Sequence, residues 1–443
     1  MNILFISLGC DKNLVDSEVM LGMLAEQGYL FTDDENLADA AVINTCCFIN
    51  DAKEESINTI LEMAELKKSG QLKALLVTGC LAQRYYDEIQ QEIPEVDAIL
   101  GTTAIDEIVV ALEKVLKGTP QNYLEKLDKA PLGNQKRIVT TGGYYNYLKI
   151  AEGCNKHCTY CVIPKIRGNY RSVPMDKLLA EATSLVEGGV RELILVAQET
   201  TLYGVDLYGK KSLPELLRNL CQIKDLKWIR ILYCYPEEIT EELIQVMKQE
   251  NKICHYLDIP VQSGSDAVLK RMGRKTDTSG IRSIIQRLRE EIPDICIRTT
   301  LITGFPGESN EDHENTMALV DEMEFDRLGV FCYSAEEDTP AAEMPEQIPE
   351  EIKLQRQTEL MELQQEIAFE AASNMIGSKL TAMIEGKVAD EDAYVARTYK
   401  DAPGVDGYLF IRTDATLMSG DFVEVMITGS NEYDLIGKLC AET

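Results

Sequence analysis

The stretch EGCNKHCTYC, residues 152–161, places three cysteines on one short loop, directly after NYLKIA, an apolar segment with the pattern of a strand. These cysteines, Cys154, Cys158 and Cys161, are called the central triad below. Structural zinc sites usually take four ligands and pair their cysteines two by two, and the sequence shows no obvious second pair. An iron–sulfur cluster held by three thiolates leaves one iron free for another ligand. The spacing therefore favours an iron–sulfur cluster, with structural zinc as the alternative.

The region around the central triad alternates apolar runs with helical patterns such as MDKLLAEATSLVEGG. The strand before the triad is followed by five more candidate strands, RELILVAQET, WIRILYCYP, HYLDIPVQSG, ICIRTTLITGFPG and RLGVFCYS. Six strand–helix units in succession predict a full or partial (β/α) barrel. Active sites of such barrels lie at the carboxyl ends of the strands, and the central triad follows the first strand at that end.

The first hundred residues predict a doubly wound α/β domain. Three apolar runs, NILFISLGC, AAVINTCCFI and KALLVTGCLA, contain cysteines at their ends. Because the carboxyl ends of parallel strands share one edge of a sheet, we expect Cys10, Cys46 and Cys80, called the N-terminal triad below, to meet there and bind metal. Alternation along the strand predicts that Cys47 points away from this site. Asp16 and Ser17 are predicted to cap the first helix.

The remaining segments complete a chain of three domains. Polar, proline-bearing residues 118–138 read as a linker, and residues 349–374 as a long charged helix. Short candidate strands separated by turns then predict a small β-barrel. The predicted domains are therefore an α/β domain at residues 1–117, a barrel at 139–372 after the linker, and a β-barrel at 373–443.

Composition limits the cellular context and the partners. The 443 residues include 13 cysteines and only three histidines. An odd number of cysteines fits metal ligands better than a disulfide framework. No apolar run reaches the ~18 residues of a membrane span and MNILFISLGC lacks signal-peptide features, so we expect a cytoplasmic protein without a membrane partner. The net charge of -30 repels nucleic-acid phosphates and favours a basic protein partner, or it serves solubility alone.

The spacing CxxxCxΦC, with Tyr160 before the third cysteine, resembles the signature of the radical S-adenosylmethionine enzymes. In that superfamily, the open iron of a 4Fe-4S cluster binds the amino and carboxylate groups of S-adenosylmethionine, and one electron breaks the sulfonium to give a 5′-deoxyadenosyl radical. The resemblance implies such a cluster on the central triad, with Tyr160 near the cofactor.

The order of the predicted domains is similar to that of the methylthiotransferases over the entire chain, with a TRAM, OB-like barrel at the end. These enzymes replace a C–H bond with C–S–CH3. The resemblance implies a second 4Fe-4S cluster, held by the N-terminal triad, that carries the sulfur to be inserted. It also implies that a second S-adenosylmethionine donates the methyl group.

Two branches of this family differ in substrate: one modifies an adenosine beside the tRNA anticodon, the other an aspartate β-carbon in the twelfth protein of the small ribosomal subunit. SLGCDKNLVDSE, YLKIAEGCNKHCTYCVIPKIRG and YSAEEDTPAA resemble the ribosomal-protein branch. The tRNA branch more often has Arg-Pro where Glu336 and Glu337 stand. This chain departs from the family with Asp11 for proline and Cys47 for glycine, and PVQSGS at residues 260–265 is closer to the tRNA branch.

The expected partners are therefore a ribosomal-protein substrate, an electron donor and a sulfur donor, without direct nucleic-acid readout. Residues 375–443 contain 6 Lys plus Arg and 12 Asp plus Glu, a net of 6 - 12 = -6, which suits a basic protein better than RNA. The tRNA substrate is the alternative. A non-catalytic iron–sulfur scaffold or zinc protein on the ribosome is the hypothesis from a different functional class.

Weaker candidates lie at other strand ends. Gln198 and Glu199 are expected to hydrogen-bond S-adenosylmethionine, or else to cap the next helix. Gly304 and Gly307 are expected to let the backbone approach the cofactor, or else to form an ordinary turn. Two cations that follow the fourth strand, Lys270 and Arg274, are candidates to bind the cofactor's carboxylate, but as lone cations on a helix they are expected to be solvated. Six further cysteines are expected in the core: Cys221, Cys234, Cys254, Cys296, Cys332 and Cys440.

Overall fold

The computed structural model of the protein describes residues 1–440. Its N-terminal part is a parallel sheet flanked by helices. The strands are β1 Asn2–Ser7, β2 Leu30–Thr32, β3 Ala40–Thr45, β4 Ala74–Gly79 and β5 Ala98–Leu100. The helices are α1 Asp11–Glu26, α2 Asn50–Lys68, α3 Cys80–Arg84, α4 Tyr86–Glu92 and α5 Ile108–Leu116. The predicted doubly wound α/β fold is confirmed, and the short strands β2 and β5 are additions that the sequence pattern did not predict.

The strand order β2-β1-β3-β4-β5 reverses direction between β1 and β3. Sheets of this order bind ligands in the crevice outside the carboxyl ends of the strands at that reversal. Cys10 follows β1 and Cys46 follows β3, so the two flank the crevice, and Cys80 begins α3 directly after β4. The predicted cap was wrong: α1 begins at Asp11, which places Asp16 inside the helix.

The central part is a second parallel sheet with helices packed on its outer face. The strands between residues 145 and 332 are β6 Tyr145–Lys149, β7 Ala151–Glu152, β8 Arg171–Ser172, β9 Glu192–Val196, β10 Trp228–Ile231, β11 Ile253–Asp258, β12 Cys296–Thr303 and β13 Arg327–Cys332. The main sheet has the order β13-β12-β11-β10-β9-β6, and β7 pairs with β8 apart from it. This open sheet of parallel strands confirms the predicted partial barrel.

The outer face of this sheet buries aliphatic side chains of strands and helices in one cluster. The helices are α6 Ile163–Arg167, α7 Met175–Glu187, α8 Val205–Tyr208, α9 Leu213–Cys221, α10 Glu241–Gln249, α11 Asp266–Arg271, α12 Thr278–Glu291, α13 Asn310–Met323 and α14 Glu350–Asn374. Among them, α9, α10 and α12 present apolar stripes to the sheet, as amphipathic helices do. Within residues 1–440, no helix combines the length and the apolar character needed to cross a bilayer.

The C-terminal part is a closed barrel with the strand order β14-β15-β16-β18-β17. Its strands are β14 Lys379–Lys387, β15 Ala393–Thr398, β16 Leu409–Arg412, β17 Phe422–Asn431 and β18 Asp434–Leu439. Closure pairs both edges, so that this small domain leaves no open strand edge. The predicted β-barrel is confirmed.

This barrel packs against the inner face of the central sheet. Met383, Ala402 and Phe422 lie in one apolar cluster with Trp228 and other inner-face side chains. Beside them, the fully buried carboxylate of Glu192 accepts a hydrogen bond from Arg230 at 2.8 Å and one from Arg397 of β15 at 2.8 Å. Two guanidinium groups thus share one carboxylate in the interior.

Most of the six additional cysteines lie in the core as expected: Cys221, Cys234, Cys254 and Cys296 are buried. Cys332 and Cys440 are half-buried, which corrects the prediction for these two. Cys332 is the last residue of β13, and Cys440 follows the last residue of β18.

We predict that Glu192→Ala destabilises the protein by about 3–5 kcal/mol, because it leaves two buried guanidinium groups without their shared carboxylate. Denaturant unfolding measures the loss, and limited proteolysis reports whether the C-terminal barrel detaches first. Glu215→Ala is the matched control, since its partner Lys210 is largely exposed. Equal unfolding free energies for Glu192→Ala and the control would contradict the prediction.

Candidate functional site

The central triad lies on the loop between β7 and α6, beside the carboxyl ends of the main strands. Cys154 and Cys158 are buried and Cys161 is half-buried, and all three are free thiols. Backbone hydrogen bonds fix the loop at both ends, from Cys154 N–H to Gly168 O at 3.1 Å and from Thr159 N–H to Met272 O at 2.9 Å. The loop therefore presents three thiols from a fixed backbone.

Burial shapes the chemistry of these thiols. The pKa of Cys154 is raised to about 11 and that of Cys161 to about 12, mainly by burial and also by the neighbouring thiols of the triad, against the lowering effect of backbone N–H groups. Thiols with pKa values this high are protonated at neutral pH unless a cation favours their ionised form. A cationic centre bound to all three would stabilise the thiolates, so the donor set fits an iron–sulfur cluster. Within residues 1–440, no three His, Cys, Asp or Glu side chains are arranged to hold one single metal ion.

Several buried polar atoms at the same edge of the central sheet have no hydrogen-bond partner in the described structure. They belong to residues that follow β9 and β11, to the last residue of β12 and to Arg274 after α11: Gln198 Oε1, Glu199 Oε2, Gln262 Oε1, Thr303 Oγ1 and Arg274 Nε. Each unpaired buried group costs about 1–3 kcal/mol. A polar ligand such as S-adenosylmethionine fits this edge, because it would supply partners for these atoms.

Glu199 is fully buried in this group. Its Oε1 accepts a hydrogen bond from Thr201 N–H at 2.9 Å, while Oε2 lies 3.9 Å from Lys156 Nζ. Burial raises the pKa of Glu199 to about 7, against the lowering effects of Thr201 and Lys156. The next helix, α8, has Gly204 as its cap, so Glu199 does not fill that alternative role. Its contact with the cofactor stays a prediction.

A hydrogen bond to Glu152 fixes the orientation of the Gln198 side-chain amide. Its Nε2 donates to Glu152 Oε1 at 2.9 Å, which leaves Oε1 as the unpaired atom. Tyr160, the aromatic residue of the cysteine motif, packs edge-to-face on Phe305 with ring centroids 6.4 Å apart. Cofactor contacts of Gln198 and Tyr160 likewise stay predictions.

The expectation that Arg274 is solvated was wrong, whereas Lys270 is exposed as expected. Arg274 lies beyond the end of α11 and is buried, with its guanidinium carbon 4.2 Å from the centre of the Tyr235 ring. It donates to Pro260 O at 2.8 Å and faces the Tyr160 and Cys158 side chains. Stacking on an aromatic ring compensates the lost hydration, and the structure adds Arg274 to the candidate site.

Gly304 and Gly307 both have positive φ, 68° and 78°. A Cβ at Gly304 would collide with the side chain of Lys353, and one at Gly307 with the guanidinium of Arg271. Their N–H groups donate to Glu308 and to the Glu346 carbonyl. Contacts within the protein thus explain both glycines, and their part in cofactor binding stays a prediction.

The structure brings the N-terminal triad together at the crevice of the first sheet. Asn13 ties the loops that carry these cysteines, because its Nδ2 donates to Leu8 O at 3.1 Å and to Thr45 O at 2.9 Å. Gly9 has φ 90°, and a Cβ there would lie 2.6 Å from Cys46 Cβ. The pKa of Cys80 is raised to about 11, mainly by burial and also by Cys10 and Cys46, against the lowering effect of Arg167. The three thiols are thus electrostatic neighbours, and a metal on them is a prediction.

Cys47 is fully buried in an apolar cluster with Ile60, Val77 and Leu81. Burial raises its pKa far above the ordinary value, even though Arg84 donates to it. Strand β3 ends at Thr45, so strand alternation is not the reason that Cys46 and Cys47 diverge. The turn after the strand directs Cys46 to Gly9 and Cys47 to the core.

The two triads face one interface between the sheets. Glu336 of the central part pairs with Arg84 at 2.6 Å and with Lys53 at 2.8 Å. Lys12, two residues after Cys10, lies 3.4 Å over the centre of the Tyr233 ring. The carboxyl ends of both sheets are therefore in contact.

Arg167, which the sequence patterns did not single out, links the helix after the central triad to the N-terminal triad. It ends α6, the helix that follows Cys161, and its Nε lies 3.3 Å from Cys80 Sγ. Its Nη1 pairs with Asp16 at 2.7 Å. No spacing in the sequence relates Arg167 to Cys80 or Asp16. The only sequence signal for Arg167 was its position as a basic residue soon after the cysteine motif.

Family models match three consecutive regions of the chain: "Uncharacterized protein family UPF0004" at residues 2–101, the radical SAM superfamily at residues 148–320 and the TRAM domain at residues 376–440. The chain is 63% identical over 437 residues to the ribosomal protein uS12 methylthiotransferase RimO of Lachnoclostridium phytofermentans, covering 99% of both chains. It is 48% identical to the protein of the same name from Clostridioides difficile, covering 98% of both.

Solved structures share the fold at low sequence identity. The cobalamin-bound radical S-adenosylmethionine methyltransferase TsrM from Kitasatospora setae, which contains a [4Fe-4S] cluster, has a TM-score of 0.54 at 12% identity, with 77% of this chain and 73% of that chain covered. The cobalamin-dependent radical enzyme OxsB has a TM-score of 0.53 at 13% identity over 77% of this chain. This chain spans about half of the OxsB chain, 54%.

We predict that Cys46→Ala loses the iron of the N-terminal triad whereas Cys47→Ala keeps it, because the Cys46 thiol lies beside Gly9 and the Cys47 thiol lies in the core. Iron and sulfide counts on the anaerobically reconstituted variants check this. Equal iron losses from the two variants would contradict the assignment.

We predict that Glu199→Gln stabilises the ligand-free protein at pH 8. The folded state raises the carboxyl pKa from 4.5 to about 7, so wild-type stability falls as pH rises between these values and stays low above them. A neutral amide removes that loss, which is about 3 kcal/mol at 1.36 kcal/mol per pKa unit. Denaturant unfolding at pH 8 and pH 4.5 should show a gain that shrinks at the lower pH. If Glu199→Gln were less stable than wild type at both pH values, the raised pKa of the Glu199 carboxyl would be refuted.

Proposed function

This chain belongs to the RimO family of ribosomal protein uS12 methylthiotransferases, and we propose that its two cysteine triads divide the reaction of that family between them. The chain methylthiolates ribosomal protein uS12 by radical S-adenosylmethionine chemistry. The observation that carries this conclusion is the 63% identity over 99% of both chains to a curated relative of that name. An iron–sulfur cluster and S-adenosylmethionine are the cofactors of the radical SAM superfamily, whose model matches the central part.

We assign the radical half of the reaction to the central triad. Its three thiolates would hold a 4Fe-4S cluster, and the unpaired atoms of Gln198 and Glu199 would bind polar groups of S-adenosylmethionine. When bound, these groups supply a 5′-deoxyadenosyl radical. The protein's own contribution is position and exclusion of water: Glu152 fixes the Gln198 amide, and the Arg274–Tyr235 stack covers the loop beside Cys158.

We assign the sulfur half of the reaction to the N-terminal triad, with a second 4Fe-4S cluster as its cofactor. The support is geometric: the thiols that follow β1, β3 and β4 are electrostatic neighbours at the crevice where sheets of this strand order bind ligands. Asn13 holds two of the segments that carry these thiols, and Arg167, from the helix after the central triad, contacts Cys80. The proposal therefore puts the sulfur site next to the radical site, as C–S bond formation on a short-lived carbon radical requires.

The proposed target within uS12 is the β-carbon of an aspartate, by resemblance to the ribosomal-protein branch. The tRNA alternative is not favoured, since the curated relatives named above act on uS12. The charge of the tail agrees: Asp390, Glu391 and Asp392 are all exposed on the loop between β14 and β15. An acidic surface attracts a basic protein and repels RNA.

An electron donor and a sulfur donor are needed by this chemistry, and we keep both as proposed partners. We likewise propose a cytoplasmic location, where a ribosomal protein is accessible to the enzyme. Direct readout of nucleic acid is not part of the proposal.

We predict that replacing Cys10, Cys46 and Cys80 together by Ala abolishes thiolation but leaves reductive cleavage of S-adenosylmethionine, because the radical half needs the central triad alone. The products are measured by mass spectrometry after incubation with reductant, S-adenosylmethionine, sulfide and uS12. Deoxyadenosine should persist at a rate within a few fold of wild type, without methylthiolated uS12.

The matched control replaces Cys154, Cys158 and Cys161 by Ala and should lose both products. The proposal fails if the N-terminal variant makes no deoxyadenosine while its central cluster is intact by spectroscopy, or if it still thiolates uS12. Parallel incubation with tRNA reports on the alternative substrate.

A further inference from the structure

The Arg167 guanidinium is 2% exposed and lies beside Cys80 of the N-terminal triad. Its Nε and Nη2 are each 3.3 Å from Cys80 Sγ, so two N–H groups face one thiol. Nη2 also donates to Asn13 Oδ1, the side chain that ties the N-terminal loops. The geometry is that of a fork-shaped donor directed at a sulfur atom.

The other side of the same guanidinium is bound by carboxylates. Its Nη1 is 2.7 Å from Asp16 Oδ2 and 3.2 Å from Glu152 Oε2. Lys149 Nζ pairs with Asp16 and lies 2.7 Å from Glu152 Oε2. The four charged side chains thus balance two positive charges against two negative ones.

Glu152 connects this cluster to the S-adenosylmethionine pocket. Its Oε1 accepts the hydrogen bond of Gln198 Nε2 at 2.9 Å, and Gln198 Oε1 is one of the unpaired buried atoms at the strand edge. A continuous chain of hydrogen bonds therefore runs from Gln198 through Glu152 and Arg167 to Cys80.

We propose that Arg167 is a positioning residue that sets the reduction potential of the N-terminal cluster by directing two N–H groups and a positive charge at the Cys80 thiolate. This inference rests on the proposed function, because it takes a cluster on the N-terminal triad as given. Hydrogen bonds to cysteine sulfur and net charge nearby are the levers by which proteins tune such potentials. Each stabilises the reduced, more negative state, so Arg167 raises the potential.

The charges around Arg167 predict in which direction each substitution shifts the reduction potential, whereas a purely structural role predicts no direction. Removing the charge and N–H groups of Arg167 lowers the potential of the N-terminal cluster. Removing the negative charge of Glu152 raises it, because Glu152 offsets the Arg167 charge at 3.2 Å. If Arg167 only held two domains together, substitutions of Arg167 and of Glu152 would not shift the potential in opposite directions.

The test measures the reduction potential of the N-terminal cluster in a background with Cys154, Cys158 and Cys161 replaced by Ala, so that one cluster alone titrates. Redox titration monitored by electron paramagnetic resonance compares this protein with Arg167→Lys, Arg167→Gln and Glu152→Gln versions. Arg171→Lys is the matched control: Arg171 belongs to the same segment but donates to the carbonyls of Asn169 and Arg167.

The expected result is a shift to lower potential for Arg167→Gln, a smaller shift in the same direction for Arg167→Lys, a shift to higher potential for Glu152→Gln and no shift for the control. Unchanged potentials in both Arg167 variants with full iron content overturn the inference. Loss of iron from both Arg167 variants with folding retained also overturns it, because Arg167 then serves assembly alone. Absence of an N-terminal cluster in the background protein itself overturns the proposed function instead.

Discussion

The contact between the carboxyl ends of two parallel sheets is the constraint on which the rest of the structure depends. Parallel sheets collect the loops that follow their strands at one edge, and this chain docks two such edges against each other. Arg84 with Glu336 and Arg167 with Asp16 hold them by ion pairs of 2.6 and 2.7 Å. Buried pairs of this kind contribute little net stability but fix one arrangement. Both cysteine triads owe their proximity to that arrangement.

Buried polar groups have different surroundings at two places on the central sheet: its inner face beside the C-terminal barrel and the carboxyl ends of its strands. Around Glu192, each carboxylate oxygen has a guanidinium partner, and the C-terminal barrel is thereby fixed. At the strand ends, Glu199 Oε2 and Gln198 Oε1 have no partner in the described structure. Unpaired groups of this type reduce stability, and proteins tolerate the cost mainly where a ligand provides the missing partner. Glu192 is thus fully paired at the contact with the barrel, whereas Gln198 and Glu199 keep unpaired atoms at the strand ends, where we propose that S-adenosylmethionine binds.

The architecture and the grouping of the cysteines were predictable because they follow from local patterns. Apolar runs at the spacing of parallel strands predict both sheets, and the edge rule then predicts that Cys10, Cys46 and Cys80 converge. Arg167 was not predictable, because its contact with Cys80 joins residues of two domains that no local pattern relates. Asp16 was assigned to a helix cap, since the start of α1 at Asp11 has no apolar signal. Arg274 was expected in solvent because its burial depends on the Tyr235 ring, a contact of tertiary structure.

The central claim is that two iron–sulfur clusters lie next to each other across one domain interface. The measurement that tests it most directly is the electron paramagnetic resonance spectrum of the fully reconstituted protein with both clusters reduced. Neighbouring paramagnets couple magnetically, so the account predicts a spectrum broadened by spin–spin interaction, which simplifies to that of an isolated cluster when either triad is replaced by Ala. A wild-type spectrum equal to the sum of the two single-cluster spectra, or the presence of one cluster alone, would contradict it.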